Sequence, residues 1–193
     1  EGKKMSKSKG NVVKPENAIK RFGVDCIRLY FYTVNSPGEP KRFDESEVRD
    51  LYRKFFDTFW NSYKFFTIYT DENFEPESDF ETDNVLDKWI LSKLERLNKE
   101  IIEDMENYKI VSAGRKIKKF VDDLSNGFIR YSRNRFKGSG SKKEQAAQTL
   151  YYSFLKFTKI IAPFTPFMAE KMYQKLNEEK QSVHLDEFPE HKL

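Results

Sequence analysis

Apolar residues recur at steps of three and four along almost the whole chain, and each such run predicts a helix that turns one face to a common core. Pro15 in a first-turn position and Gly23 as a stop bracket a short helix over 17–22. Asp25 caps a second, which carries Ile27, Leu29, Tyr30 and Val34 until Ser36-Pro37-Gly38 breaks it. Asp44-Glu45-Ser46-Glu47 opens a long helix through Leu51, Phe55, Phe59, Tyr63 and Phe66, and Thr82-Asp83 begins another through Leu86, Ile90, Leu94, Leu97 and Ile101. Ser141-Lys142-Lys143-Glu144 has the spacing of a capping box and starts a helix through Leu150, Phe154, Phe157 and Ile161, which Pro163 ends. Thr165-Pro166 caps a last one through Met168 and Met172 toward Leu176. Long helices with short joints predict an all-α helical bundle over 44–193, preceded by a short helical connection over 1–43.

Charge changes the picture at one place. The net charge is only +4. Nevertheless Lys109, Arg115, Lys116, Lys118, Lys119, Arg130, Arg133, Arg135 and Lys137 crowd one stretch, against Asp122 and Asp123 alone. On a helical wheel Ile110, Ala113, Ile117, Phe120, Val121, Leu124 and Phe128 share one face, and Arg115, Lys119, Asp122, Asn126 and Arg133 the opposite one. The apolar stripe is expected to pack and the basic stripe to face outward, either as an ordinary solvated surface or as a contact for RNA phosphates, with Tyr131 nearby for unpaired bases. Asp71, Glu72, Glu75, Glu77, Asp79, Glu81 and Asp83 form the converse, an acidic stretch expected to be a solvated linker.

Composition excludes several chemistries. A single cysteine, Cys26, permits no internal disulfide and no cysteine-rich zinc site, and His184 and His191 stand without a third ligand, so no metal site is expected. No apolar run is long enough to span a bilayer, and a cytoplasmic protein without membrane contact is expected. Phe55, Phe56, Phe59, Trp60, Phe65 and Phe66 recur at helical spacing and read as core, as does Trp89. Asp122 and Asp123, adjacent on a helix and so about 100° apart, read as local salt-bridge partners rather than an acid pair.

The remaining chemistry lies at the amino end. Lys4-Met5-Ser6-Lys7-Ser8, flanked by Gly2 and Gly10, combines mobile backbone, compact positive charge and small donors, as a phosphate-handling loop requires. Those five residues resemble the second signature loop of class I aminoacyl-tRNA synthetases. Gly10-Asn11-Val12-Val13, Pro15, Gly23-Val24-Asp25 and Arg28-Leu29-Tyr30 continue the resemblance into the isoleucyl, valyl and leucyl branch. The blocks Asp87-Lys88-Trp89-Ile90-Leu91-Ser92-Lys93-Leu94, Asp123-Leu124-Ser125-Asn126, Arg130-Tyr131-Ser132-Arg133-Asn134-Arg135-Phe136, Ala162-Pro163-Phe164-Thr165-Pro166-Phe167-Met168-Ala169-Glu170 and Ser182-Val183-His184-Leu185 are most similar to the isoleucyl members.

The resemblance implies a carboxy-terminal piece of a ligase: the signature loop, a helical connection and an anticodon-binding bundle. A nucleotide-binding catalytic domain would lie outside it, so the chain alone is expected to be inactive and to hold no cofactor. The intact enzyme would use ATP with Mg2+, isoleucine and tRNA-Ile, as a monomer. Lys4 and Lys7 would stabilise charge on the departing pyrophosphate, Lys7 foremost, with Met5, Ser6 and Ser8 completing the ATP loop. Arg115, Lys119, Arg130, Arg133, Arg135 and Lys137 would contact tRNA. A valyl or leucyl enzyme, or a non-catalytic helical RNA-binding module, are the alternatives. Two positions depart from the family pattern: Lys9 stands where leucine is frequent, and Gly127 where a large aromatic is usual, so the helix is expected to bend or loosen there.

Overall fold

The computed structural model describes residues 8, 12–41, 43–70, 74–77, 80–177 and 182–190, and among them the regular structure is helical with no strand. Helices α1 (Pro15–Phe22) and α2 (Val24–Thr33) form the connection. The bundle follows as α3 (Glu45–Leu51), α4 (Thr58–Tyr69), α5 (Val85–Glu106), α6 (Ile110–Asp122), α7 (Arg130–Lys137), α8 (Ser141–Ile161) and α9 (Pro166–Leu176). A 3₁₀ turn, Val183–Leu185, closes the described chain.

Two joints are not loops. A π-helical segment, Tyr52–Asp57, runs α3 into α4, and a second, Asp123–Ile129, runs α6 into α7. Both answer the same problem in the sequence. Phe120, Leu124, Phe128, Ser132 and Phe136 are all buried and stand at steps of four, as do Leu51, Phe55, Phe59 and Tyr63. Each step of four overshoots a 3.6-residue turn by about 40°, so a straight helix would carry the row out of the core. A π turn takes up an extra residue and keeps the row facing inward.

Helix α8 is buried on most sides, with Leu150, Phe154, Phe157 and Ile160 shut from solvent, and is the centre of the bundle. Its buried Thr149 and Ser153 donate to the Gln145 and Thr149 carbonyls, which satisfies their hydroxyls inside the core. The capping box expected at Ser141 is absent: Gly140, at φ 72°, precedes the helix and Ser141 is its first residue. Asp44 does cap α3, accepting from the Ser46 amide, whereas α5 starts at Val85 rather than at Thr82-Asp83 and is capped by Asn84, which accepts from the Leu86 amide.

The acidic stretch is not a free linker over 74–77. Phe74 packs on Phe66 and Tyr151, while the buried amide of Gln148 donates to the Glu75 carbonyl at 2.7 Å and accepts from the Glu77 amide at 3.1 Å. Glu75 and Glu77 leave it solvated at the side chains, but its backbone is tied down.

The connection and the bundle share one apolar cluster, which includes Cys26, Leu29 and Tyr30 of α2. Asp25 accepts from the Met168 amide at 2.7 Å, so a carboxylate on α2 caps the start of α9. Arg28 donates to the Pro163 carbonyl and Arg115 to that of Thr33. A Cβ on Gly114 would come within 2.6 Å of the Thr33 methyl, so glycine is what lets α6 close on α2.

Candidate nucleic-acid interface

The wheel of the basic stretch is realised. Ala113, Ile117, Phe120, Val121, Leu124 and Phe128 are buried, Ile110 is half-buried, and Arg115, Lys119, Asp122, Asn126 and Arg133 are exposed. What the wheel does not contain is the partner across from it. The surface of α4 faces the π segment and α7, and between them lies a concavity of about 570 Å³ bordered by Asn61, Phe65, Ser125, Asn126, Arg130 and Arg133. A second, of about 310 Å³, is lined by Lys54, Lys118 and Lys119 and shares Thr58 and Asn126 with the first.

Charge in this channel is largely uncompensated. Lys118, Lys119, Arg130 and Arg133 form no ion pair with any described residue, and Lys54 is held only by Asp50 at 2.9 Å. Lys118 is half-buried; burial first, then the neighbouring charges of Arg115 and Lys54, push its ammonium below the ordinary lysine range despite the attraction of Glu47. The one carboxylate lining the channel, Asp122, accepts from the Asn126 amide at 2.6 Å. Phe65, expected as core, stands half-exposed at the channel wall with the Arg133 guanidinium over its ring, 5.9 Å from the centre.

Not every expected contact reaches this face. Arg135 is a correction: its side chain is only 13% exposed and clasps the fully buried carboxylate of Asp87 with both terminal nitrogens, the second at 2.7 Å, while Thr82 donates to the same carboxylate. It follows Phe136 into the bundle because the step from Arg133 carries it round the helix. Arg115 is exposed but lies outside the channel, and Lys137 is exposed at the end of α7. Lys4, Met5, Ser6 and Lys7 lie outside the described residues, as does His191, and Ser8 is exposed. Of the two adjacent aspartates, Asp123 pairs with Lys93 across on α5. Among the described residues no three His, Cys, Asp or Glu side chains converge on a metal position, and no helix is long and apolar enough to cross a membrane.

Asn61 and Thr58 border the channel with little mark in the sequence pattern, and Lys118, one of the nine bases of the basic stretch, joins them there. Asn61 is a polar break in the aromatic run of α4, the only signal it gives. Lys118 sits beside Lys119 on the basic stretch, but its half-burial depends on how α6 meets the first π segment.

The cationic channel lies on a helical bundle, and sequence comparison places that bundle in a family. The anticodon-binding domain family of tRNA ligases matches residues 87–193, more than half of the chain, and the chain belongs to that family. The family of class I tRNA synthetases for I, L, M and V matches residues 1–43. The chain is 45% identical, over its whole length, to an isoleucine–tRNA ligase of Clostridium novyi, of which it covers 20%. It is 42% identical over 97% of its length to one of Dehalococcoides mccartyi, again covering 20%. It thus spans about a fifth of the length of the curated relatives it matches. In fold it is similar to the LeuRS of Agrobacterium radiobacter K84 solved in a ternary complex with tRNA and LeuAMS, with a TM-score of 0.70 over 98% of this chain and 23% of that one at 19% identity. The methionyl-tRNA synthetase of Mycobacterium tuberculosis in complex with methionyl-adenylate gives 0.68, with 87% and 34% covered at 19% identity.

Proposed function

We propose that this chain is the anticodon-gripping part, with the ATP signature loop, of an isoleucine–tRNA ligase, and that its bundle holds the anticodon stem and loop of tRNA-Ile. The observation that carries the reading is the unpaired cationic channel on a domain of the anticodon-binding family, in a chain 45% identical to an isoleucine–tRNA ligase throughout. Phosphate neutralisation needs cations not already spent on carboxylates, and Lys118, Lys119, Arg130 and Arg133 meet that condition. The amino acid would be activated on ATP with Mg2+ by a catalytic domain, and Lys4 and Lys7 would meet the charge that develops as pyrophosphate leaves, with Met5, Ser6 and Ser8 in the same loop. The enzyme would act in the cytoplasm as a monomer.

The test is titration of the chain with a tRNA-Ile transcript at several salt concentrations. Binding whose log affinity falls linearly with log salt supports the reading; affinity independent of salt, or none, removes it.

A further inference from the structure

The lysines of the bundle stand in two kinds of surroundings. Lys156 is bound by both oxygens of Glu95, Lys159 meets Asp186 at 2.7 Å, and Lys116 lies between Asp104 and Glu100. Against the pull of burial, the hydrogen bond and charge of Asp104 and the charge of Glu100 hold the Lys116 ammonium above the ordinary lysine range. Lys118, on the same helix, is the opposite case. It is half-buried, forms no ion pair with any described residue, and borders the concavity of about 310 Å³ that Lys54 and Lys119 also line. We propose that Lys118 is a modification site, acylated by small acyl phosphates that the concavity gathers against Lys54 and Lys119.

The step is closed in atoms and electrons. The lone pair of the neutral amine attacks the acyl carbon, and a carbon–nitrogen bond forms. The bond from that carbon to the bridging oxygen breaks, its electron pair leaves with phosphate, and the phosphate carries off the amine proton. The products are an N-acyl-lysine and inorganic phosphate, with nothing oxidised or reduced.

Three features point to this residue. Only the neutral amine attacks, and burial first, then the charges of Arg115 and Lys54, push Lys118 below the ordinary range, so more of it is neutral at a given pH than of an exposed lysine. The charged groups around it are Arg115, Lys119 and Asp122 on α6, Glu47 on α3 and Lys54 on the first π segment. Glu47 accepts from the Tyr30 hydroxyl at 2.9 Å and Asp122 from the Asn126 amide at 2.6 Å, and neither pairs with Lys118. Secondly, a lining of three lysines against the single carboxylate of Asp122 raises the local concentration of a dianionic acyl donor. Thirdly, the same cations meet the charge that develops on the departing phosphate. An acyl group there removes a cation from the channel and fills its narrow end, which would loosen RNA. That consequence rests on the tRNA reading above, whereas the acylation does not.

The experiment treats the full chain with acetyl phosphate and, separately, with the uncharged donor N-acetylimidazole, and follows each lysine by peptide mass spectrometry. Lys116 is the paired comparison and Lys99, exposed on α5, the free one. With acetyl phosphate, Lys118 is expected to react about tenfold or more faster than Lys116, the ratio that one pKa unit gives in neutral amine, and faster than Lys99. Added salt should slow the acetyl phosphate reaction at Lys118 and leave that of N-acetylimidazole unchanged. Lys119→Gln should do the same severalfold, since it removes a cation from the lining. Equal rates at Lys118 and Lys99 with acetyl phosphate overturn the site. A fast Lys118 whose rate ignores salt and Lys119 with both donors is merely a reactive amine, and overturns the capture of acyl phosphates. Chain acetylated at Lys118 should bind a tRNA-Ile transcript more weakly than untreated chain, and equal binding overturns the consequence for RNA. Acylation at Lys118 in a chain that binds no tRNA keeps the site and removes the tRNA reading instead.

Discussion

Arg133 and Arg135 are two residues apart and do opposite work. Arg133 reaches solvent over Phe65, whereas Arg135 is clasped by a carboxylate with no exposure at all. Arg133→Gln should therefore weaken tRNA and lower the salt slope by about 0.7 to 0.9 without changing the thermal melt. Arg135→Gln should leave Asp87 buried with half a partner and cost about 3 to 5 kcal/mol of stability, read by denaturant unfolding, with the slope unaltered. A melt unchanged in Arg135→Gln would show that the pair contributes nothing. Lys118 reverses the usual relation between binding and stability. Its native pKa lies below the ordinary 10.5, so the unfolded chain holds more protons across that interval and stability rises with pH through it. Lys118→Met removes both the neutral-pH penalty and that alkaline rise. It should melt higher than the unaltered protein at pH 7, with the difference shrinking toward pH 10.5.

At the scale of elements, the π segments and two glycines set how the helices meet. A Cβ on Gly127 would lie 2.6 Å from the outer edge of the Trp89 indole, so the tryptophan fills the space beside position 127. Alanine would gain about 1 kcal/mol of helix propensity. It would also collide with a ring that cannot shorten, and Gly127→Ala should lose about 1 to 3 kcal/mol net, measured by urea unfolding. Gly114→Ala should lose a similar amount by pushing α6 from α2, because the contact is with the Thr33 methyl. Thr33→Ser removes that methyl and keeps the hydroxyl that donates to the Leu29 carbonyl, so the double variant should recover most of the loss. If the double variant is no more stable than Gly114→Ala, the close approach is not what glycine serves.

For the molecule as a whole, the important fact is that the residues on either side of position 43 share one core. Cys26, Leu29 and Tyr30 pack with Val48 and Phe55, and Asp25 caps α9, so the segment that follows the Lys/Ser loop is tied to the same body as the cationic channel. In the proposed reading, gripping an anticodon and presenting a phosphate loop would thereby be joined through packed helices rather than a tether. Among the described residues there is no strand from which to build an α/β nucleotide fold that would align ATP with a carboxylate, and the chain by itself should give no isoleucine-dependent ATP–pyrophosphate exchange above the blank. In a full-length ligase carrying this segment, Lys7→Ala should lower exchange by about 100-fold or more with little change in isoleucine affinity. An undiminished rate would take Lys7 off the reaction.

The helices, the inward faces and the amino-terminal loop are all written in local pattern. Asp44, Gly23 and Pro166 punctuate it, and the buried rows of α5, α6 and α8 follow from a 3.6-residue period that needs no knowledge of neighbours. Even the π turns leave a trace, as apolar rows at unbroken steps of four. What no local pattern holds is which exposed cation keeps its charge free. Arg133 and Arg135 are the same residue type in the same helix, and only the arrival of Asp87 from α5, 48 residues away, removes one of them from the surface. Asn61 likewise becomes a neighbour of Asn126 only when α4 packs against the second π segment. Burial and pairing are relations between elements, so tertiary packing decided the channel while the sequence determined the helices that wall it.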